Sequence, residues 1–164
     1  MGPFQTVLIV ATFLCSLVAG FLFAFAVVAM PGMRRLNDRE FIRAFQAIDR
    51  VIQDNQPLFL LVWVGSVPAL VLAAVLGIGQ LDGPGRLLVI VATVAYLFGV
   101  QLPTLSINVP LNNRLQAVDV DAVSEDAHRA ARAAFEPRWN RWNAVRAVVA
   151  SVVSATLLVL LAWT

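Results

Sequence analysis

Apolar positions run almost unbroken through four stretches of this chain: Phe4–Met30, Leu58–Ile78, Leu87–Ile107 and Ala144–Trp163. A helix crosses the hydrocarbon core of a bilayer with ~20 mostly apolar residues, and each stretch is about that long. None contains Asp, Glu, Lys or His, and the one arginine, Arg146, lies near the start of the fourth. The pattern predicts four transmembrane helices, at about 4–30, 58–79, 86–107 and 143–163, in a single multi-pass domain over residues 1–164. The short Gln80–Gly85 connection, with Gly83-Pro84-Gly85, makes the second and third helices antiparallel neighbours.

The two longer connections read as helical too. Asn37-Asp38-Arg39-Glu40 has the form of a capping box, and Phe41, Ile42, Phe45, Ile48 and Ile52 follow at helical spacing with arginines mostly on other faces. Pro57 then opens the second span, where its missing N–H costs nothing. In the last connection Ser124 caps a helix to about Glu136, which Pro137 stops. The fold class expected is all-α: an integral membrane antiparallel four-helix bundle with two short amphipathic cytoplasmic helices. Ser16, Gly20 and Ala24 on the first span, and Ala147, Ala150, Ser151 and Ser154 on the fourth, mark faces where helices approach closely.

Composition sharpens the orientation. All 12 basic residues are arginine, and only Arg86 lies in the connection between the second and third spans. The rest fall on the first and third connections and their junctions, which share one side of an up-down path. Arginine-rich short loops stay cytoplasmic, so both termini face outward across the plasma membrane. Ten acids leave a net charge of +2, which does not describe a nucleic-acid surface. Ala24-Phe25-Ala26 resembles a signal-peptidase site, but no basic segment precedes it, and the first stretch is read as a retained span. Met1-Gly2-Pro3 fits the myristoylation pattern only loosely, and Pro3 argues against it. Cys15, the sole cysteine, is expected as a small core residue.

Polar groups inside a membrane are costly, so they mark where chemistry can sit. Gln101, Thr104, Asn108 and Asn112 share one face of the third helix if it continues, while Pro103 and Pro110 are expected to kink it. Trp139, Asn143 and Arg146 share a face at the start of the fourth, at the same depth by chain path. These two faces predict a pocket at the inner leaflet. The same residues are equally consistent with interhelical hydrogen bonds that need no ligand, and Trp139 and Trp142 with ordinary interfacial anchors. One histidine, His128, and one cysteine make a multi-ligand metal site in a monomer implausible. His128 is read as a solvated surface residue, and Asp49 and Asp54 as solvated carboxylates.

The chain resembles the anthrone-oxygenase-like family of small four-helix membrane proteins. The resemblance rests on Gly20-Phe21-Leu22-Phe23-Ala24-Phe25 running to Met30-Pro31, on Phe45-Gln46-Ala47-Ile48-Asp49-Arg50-Val51-Ile52-Gln53, on Asn108-Val109-Pro110-Leu111-Asn112, and on Arg138-Trp139-Asn140-Arg141-Trp142-Asn143 with Arg146. Asp49 stands where the family pattern leads one to expect Asn. The resemblance implies oxidation of a flat, lipid-soluble phenolic or polyketide substrate by O2, without cofactor or metal. Asn108, Asn112 and Arg146 would then be catalytic, with an amide and the guanidinium holding an enolate oxygen. Gln101, Thr104, Trp139 and Asn143 would bind substrate, and His128 or Asp49 would be the base. The partners expected are the lipid bilayer, an aromatic small molecule and O2, with no nucleic acid and with self-association left open. The alternative is a non-enzymatic membrane module binding a hydrophobic ligand or partner helix. A small transporter is weaker, since no charged path crosses the membrane.

Overall fold

The computed structural model describes residues 2–164, and the chain is helical almost throughout. Four long helices have the length and composition to cross a membrane: α1 (Pro3–Met33), α3 (Pro57–Gln80), α4 (Gly83–Gln116) and α5 (Glu125–Trp163). The shorter α2 (Asp38–Gln53) connects α1 to α3. The caps follow the chemistry of the sequence. Asn37 accepts from Glu40 N, Ser124 from Ala127 N and Asp82 from Gly85 N, and Pro57 opens α3. Between α2 and α3, Asn55 adopts a left-handed backbone with φ 60°, a conformation Asn tolerates better than most residues.

Each long helix packs against two others, in the cyclic order α1, α3, α4, α5. Their shared core includes Leu8, Cys15, Leu70, Tyr96, Ala150 and Leu157. Gln5 Nε2 donates to Thr164 O at 2.7 Å, and Asn143 Nδ2 donates to Leu22 O at 3.1 Å, so α1 and α5 meet along most of their length. Large apolar side chains cover the outside, among them Phe13, Val28, Leu61, Leu105 and Val148. In water such a surface would drive aggregation; in lipid it is the solvent-facing surface. A second core lies beside the first, where α2 seats Phe41, Ile42 and Phe45 against Leu111, Phe135 and Trp139.

Three sequence expectations change. Pro137 does not stop a helix: α5 runs through it for 39 residues, so the separate short helix expected from Ser124 to Glu136 is the first part of the fourth long helix. Phe135 and Trp139, buried on either side of the proline, hold the helix together across the lost hydrogen bond. Nor do Pro103 and Pro110 break α4. The helix widens instead into two π-turns, Leu97–Gln101 and Thr104–Asn108. A third lies at Phe25–Ala29, and each ends two positions before a proline: Pro31, Pro103 or Pro110. The wider turn moves aside the carbonyl that the proline ring would crowd. Pro68 and Pro137 sit in helices without such a turn, so proline alone does not force it. Finally, Gly20 and Ala24 face outward, and nothing lies within 4 Å of a Cβ built on Gly20. The packing face of α1 is Leu8, Ala11, Cys15, Val18 and Leu22 instead, whereas Ala147, Ala150 and Ser154 do face inward and Ser151 does not.

Candidate functional site

A cavity of about 190 Å³ lies between the two cores, where α2 crosses the ends of α1, α3 and α4 and the middle of α5. Its wall is largely apolar, with six aromatic side chains among the lining residues. Phe59 and Trp63, four apart on α3, stack at 5.4 Å with 20° between their planes. Phe21 meets both edge-on, Phe25 lies 4.9 Å from Phe21, and Trp139 lies 5.7 Å from Phe25. Phe45 closes the chain of rings at 5.6 Å from Trp139. Rings joined in this way give flat surfaces and little freedom to collapse.

The polar groups converge within that wall. Arg146 is 4% exposed. One of its terminal nitrogens donates to Thr104 Oγ1 at 2.9 Å and the other to Asn143 Oδ1 at 3.1 Å, while its carbon lies 5.9 Å from the Trp139 ring centroid. Thr104 Oγ1 in turn donates to Val100 O at 2.6 Å. Asp49 is also 4% exposed, and three amides donate to it: Asn112 at 2.8 Å, Gln116 at 3.0 Å and Gln53 at 2.7 Å. Asn112 Oδ1 accepts from Trp139 Nε1 at 2.8 Å. Its amide is therefore held at both ends, one by the carboxylate and one by the indole. Neither Asp49 nor Arg146 belongs to an ion pair among the described residues.

Six of the seven site residues expected from the sequence thus line one cavity: Thr104, Asn108, Asn112, Trp139, Asn143 and Arg146. Gln101 does not. The π-turn it closes directs its side chain to α3, where its Oε1 accepts from Trp63 Nε1 at 3.1 Å. It supports the wall from behind. Asn112 lines the cavity with one N–H of its amide bonded to Asp49 at 2.8 Å. Asp49 is not a solvated carboxylate but part of the lining, and Trp139 is buried rather than a simple interfacial anchor. Apart from Trp139, the aromatic wall is not anticipated from the sequence, although Phe21 with Phe25 and Phe59 with Trp63 carry the four-residue spacing of one helix face.

His128 is displaced from its expected place in a different way. It is 3% exposed, its Nε2 lies 3.0 Å from Val120 O, and it lines a separate cavity with Asn37 and Arg39 rather than the aromatic one. Near it, Asp121 joins the loop to α2 through Arg39 and Arg43. A hydrogen bond from Arg39 and the charge of Arg43 lower the Asp121 carboxyl from its ordinary value.

On one side the cavity is weakly closed. Helix α3 packs against Gly83–Tyr96 of α4, but not to a comparable extent against the later part of α4. Leu105, 67% exposed, and half-exposed Val109 stand at that gap and also line the cavity. Among the described residues no three His, Cys, Asp or Glu side chains converge as metal ligands would.

A family model described as anthrone oxygenase matches residues 59–157, from the first turn of α3 into the last turns of α5. The matched region holds the α3, α4 and α5 walls of the cavity; α1 and α2, with Asp49, lie outside it. No curated protein and no solved structure matches the chain.

Proposed function

The chain belongs to the anthrone oxygenase family, and on that premise we propose that it is a membrane oxygenase for a flat, lipid-soluble aromatic ketone of the anthrone type. The observation that carries this reading is one cavity holding a buried guanidinium and a buried carboxylate that do not neutralise each other. Charges in a membrane protein interior are costly and persist mainly where they are used.

The reaction needs a base, an oxyanion partner and a flat apolar slot. An anthrone carries a CH2 between two arenes, para to a carbonyl across the ring. Asp49 takes one proton from that carbon, and the resulting negative charge moves to the carbonyl oxygen. Arg146 holds the oxygen as enolate, in a site of low dielectric where a fixed donor counts for most. Asn112 keeps Asp49 aimed, and the aromatic wall sandwiches the rings. The electron-rich enolate reduces O2 directly. Overall, two C–H bonds are lost at that carbon and one C=O forms; one oxygen atom stays in the quinone and the other leaves as water. No cofactor enters this balance. The bilayer supplies both substrate and O2.

We also propose that the four long helices form an antiparallel plasma-membrane bundle, with both termini outside and the arginine-rich connections, including an amphipathic α2, in the cytoplasm. The arginine asymmetry supports that orientation. The Gln5–Thr164 and Leu22–Asn143 contacts support opposite directions for α1 and α5.

Oxygen uptake by the purified chain with a simple anthrone tests the reaction. The expected result is uptake above the spontaneous rate that falls in Arg146→Ala, stops under anaerobic conditions and survives chelators. Inhibition by chelators overturns the metal-free mechanism. Uptake no faster than buffer from folded protein favours a binding module using the same cavity.

A further inference from the structure

Three exposed arginines, Arg114 on α4 and Arg138 and Arg141 on α5, belong to no ion pair among the described residues. The acid nearest to them along α5, Glu136, is held by Arg34 and Arg132. Asp121 is held by Arg39 and Arg43, and Asp126 by Arg129. The three positive charges are therefore left for a partner outside the chain.

Two of them flank one groove. A groove of about 130 Å³ between α4 and α5 is lined by Leu111, Arg114 and Leu115 on one helix and by Ala131, Ala134 and Phe135 on the other. Arg138 follows Ala134 by four residues and so continues the α5 rim by one turn. The hydrogen bond from Trp139 Nε1 to Asn112 Oδ1 fixes the register of the two helices. Arg138 is the residue before Trp139, and Arg114 is the second after Asn112, so both lie within about one turn of that bond in depth. The apolar run of α4 ends at Ile107 and that of α5 starts at Ala144. At 1.5 Å per residue, Arg141 lies ~5 Å outside its run, and Arg138 and Arg114 ~10 Å outside theirs. The headgroup layer is ~5–8 Å deep, and an arginine side chain extends back to it along the protein surface. On the same stripe of α5 as Arg138, half-buried Trp142 and exposed Val145 and Val152 lead into the apolar run.

We propose that this groove binds the headgroup of an anionic phospholipid from the adjoining leaflet. The phosphodiester sits between Arg114 and Arg138, whose planar guanidinium groups give it charge-assisted hydrogen bonds. Arg141 adds positive charge at the rim. Trp142 packs beside the glycerol esters, and an acyl chain follows Val145 and Val152 into the bilayer. A zwitterionic lipid offers the same phosphate but brings a cation of its own to a place that already holds three, so the site selects by the net charge of the headgroup. It is separate from the aromatic cavity, which α5 lines with Trp139, Asn143 and Arg146, and it stands whether or not that cavity oxidises anything.

The test is native mass spectrometry of the full chain released from micelles that contain phosphatidylglycerol or phosphatidylcholine with the same acyl chains. Phosphatidylglycerol is expected to be retained roughly fivefold or more over phosphatidylcholine. Arg114→Gln and Arg138→Gln are each expected to lower that ratio about threefold or more. Arg35→Gln removes the same charge from another exposed arginine outside any ion pair, in the turn after α1, and is expected to leave the ratio unchanged. All three positions are exposed, so the variants are expected to fold and melt with the wild type. Equal retention of the two lipids by the wild type overturns the proposal, and so does an unchanged ratio in both groove variants. An equal fall in Arg35→Gln also overturns it, since the effect is then one of net charge and not of a site. Millimolar glycerol 3-phosphate is expected to leave the bound phosphatidylglycerol in place; its displacement would assign the groove to a soluble phosphate ester and overturn the lipid.

Discussion

Asp49 accepts a 2.8 Å hydrogen bond from Asn112 across the gap between α2 and α4, and the same amide accepts from Trp139 at 2.8 Å. A carboxylate on the short helix is thereby connected to an indole on the fourth span through one side chain that cannot turn over without losing both bonds. Replacing Asp49 with Asn keeps the shape and removes the charge. If Asp49 is the base, oxygen uptake falls by about 10²-fold or more in Asp49→Asn, and because the new NH2 faces at least one of the three amide donors now bonded to the carboxylate, stability falls by about 1–3 kcal/mol. Full uptake in this variant would assign proton removal elsewhere.

Arg146 is held by two hydrogen bonds but by no counter-charge. Burying such a group costs stability that an apolar side chain would not cost. Arg146→Met removes that cost but leaves the buried Asn143 Oδ1 without its donor, so it is expected to melt near the wild-type temperature while losing about 10²–10³-fold in turnover. A loss of more than about 2 kcal/mol in stability would instead make Arg146 a structural residue.

If substrate enters from lipid, the weakly packed gap between α3 and the later part of α4 is the expected route to the cavity. Leu105 stands in it with little packing to lose. Leu105→Trp is expected to lower kcat/KM several-fold without lowering the melting temperature. Unchanged kinetics would place the substrate's route on the α2 side.

Glycine positions separate packing from exposure. A Cβ on Gly99 would come within 2.8 Å of Val149 Cγ1, on the facing helix α5. Val149 is branched at Cβ and has little freedom to yield. Gly99→Ala is expected to destabilise by about 1–3 kcal/mol, whereas Gly20→Ala, with open space around it, stays near neutral. Equal melting curves for the two variants would contradict the α4–α5 approach.

Asp121 sets a pH dependence outside the membrane. Arg39 and Arg43 lower its carboxyl from the ordinary value of 3.8. A lowered carboxyl contributes stability above its unfolded value and loses that contribution as pH falls through its folded value. The stability difference between wild type and Asp121→Asn should therefore vanish in strong acid and shrink with added salt, because the pair is exposed. A difference that grows towards acid would refute the pairing.

The sequence by itself determined the four spans, because twenty apolar residues can only be helical in hydrocarbon and the requirement is local. Local chemistry also placed the caps at Asn37, Asp82 and Ser124. It brought most of the cavity's polar residues within reach of one another, since Thr104, Asn108 and Asn112 keep the four-residue spacing of one face. What lay beyond it depended on contacts between helices. Whether a proline stops a helix is decided by the packing on either side, and Phe135 and Trp139 carry α5 through Pro137. Whether a glycine marks a contact depends on a neighbour: Gly99 has Val149 and Gly20 has none. The π-turn at Leu97–Gln101 directs Gln101 away from the cavity, and no spacing rule for a regular helix anticipates it. Asp49 and His128 read as surface residues because a single element shows only the polarity of a side chain. Their burial was decided when α2 folded over the ends of the spans and when the 119–123 turn closed over α5.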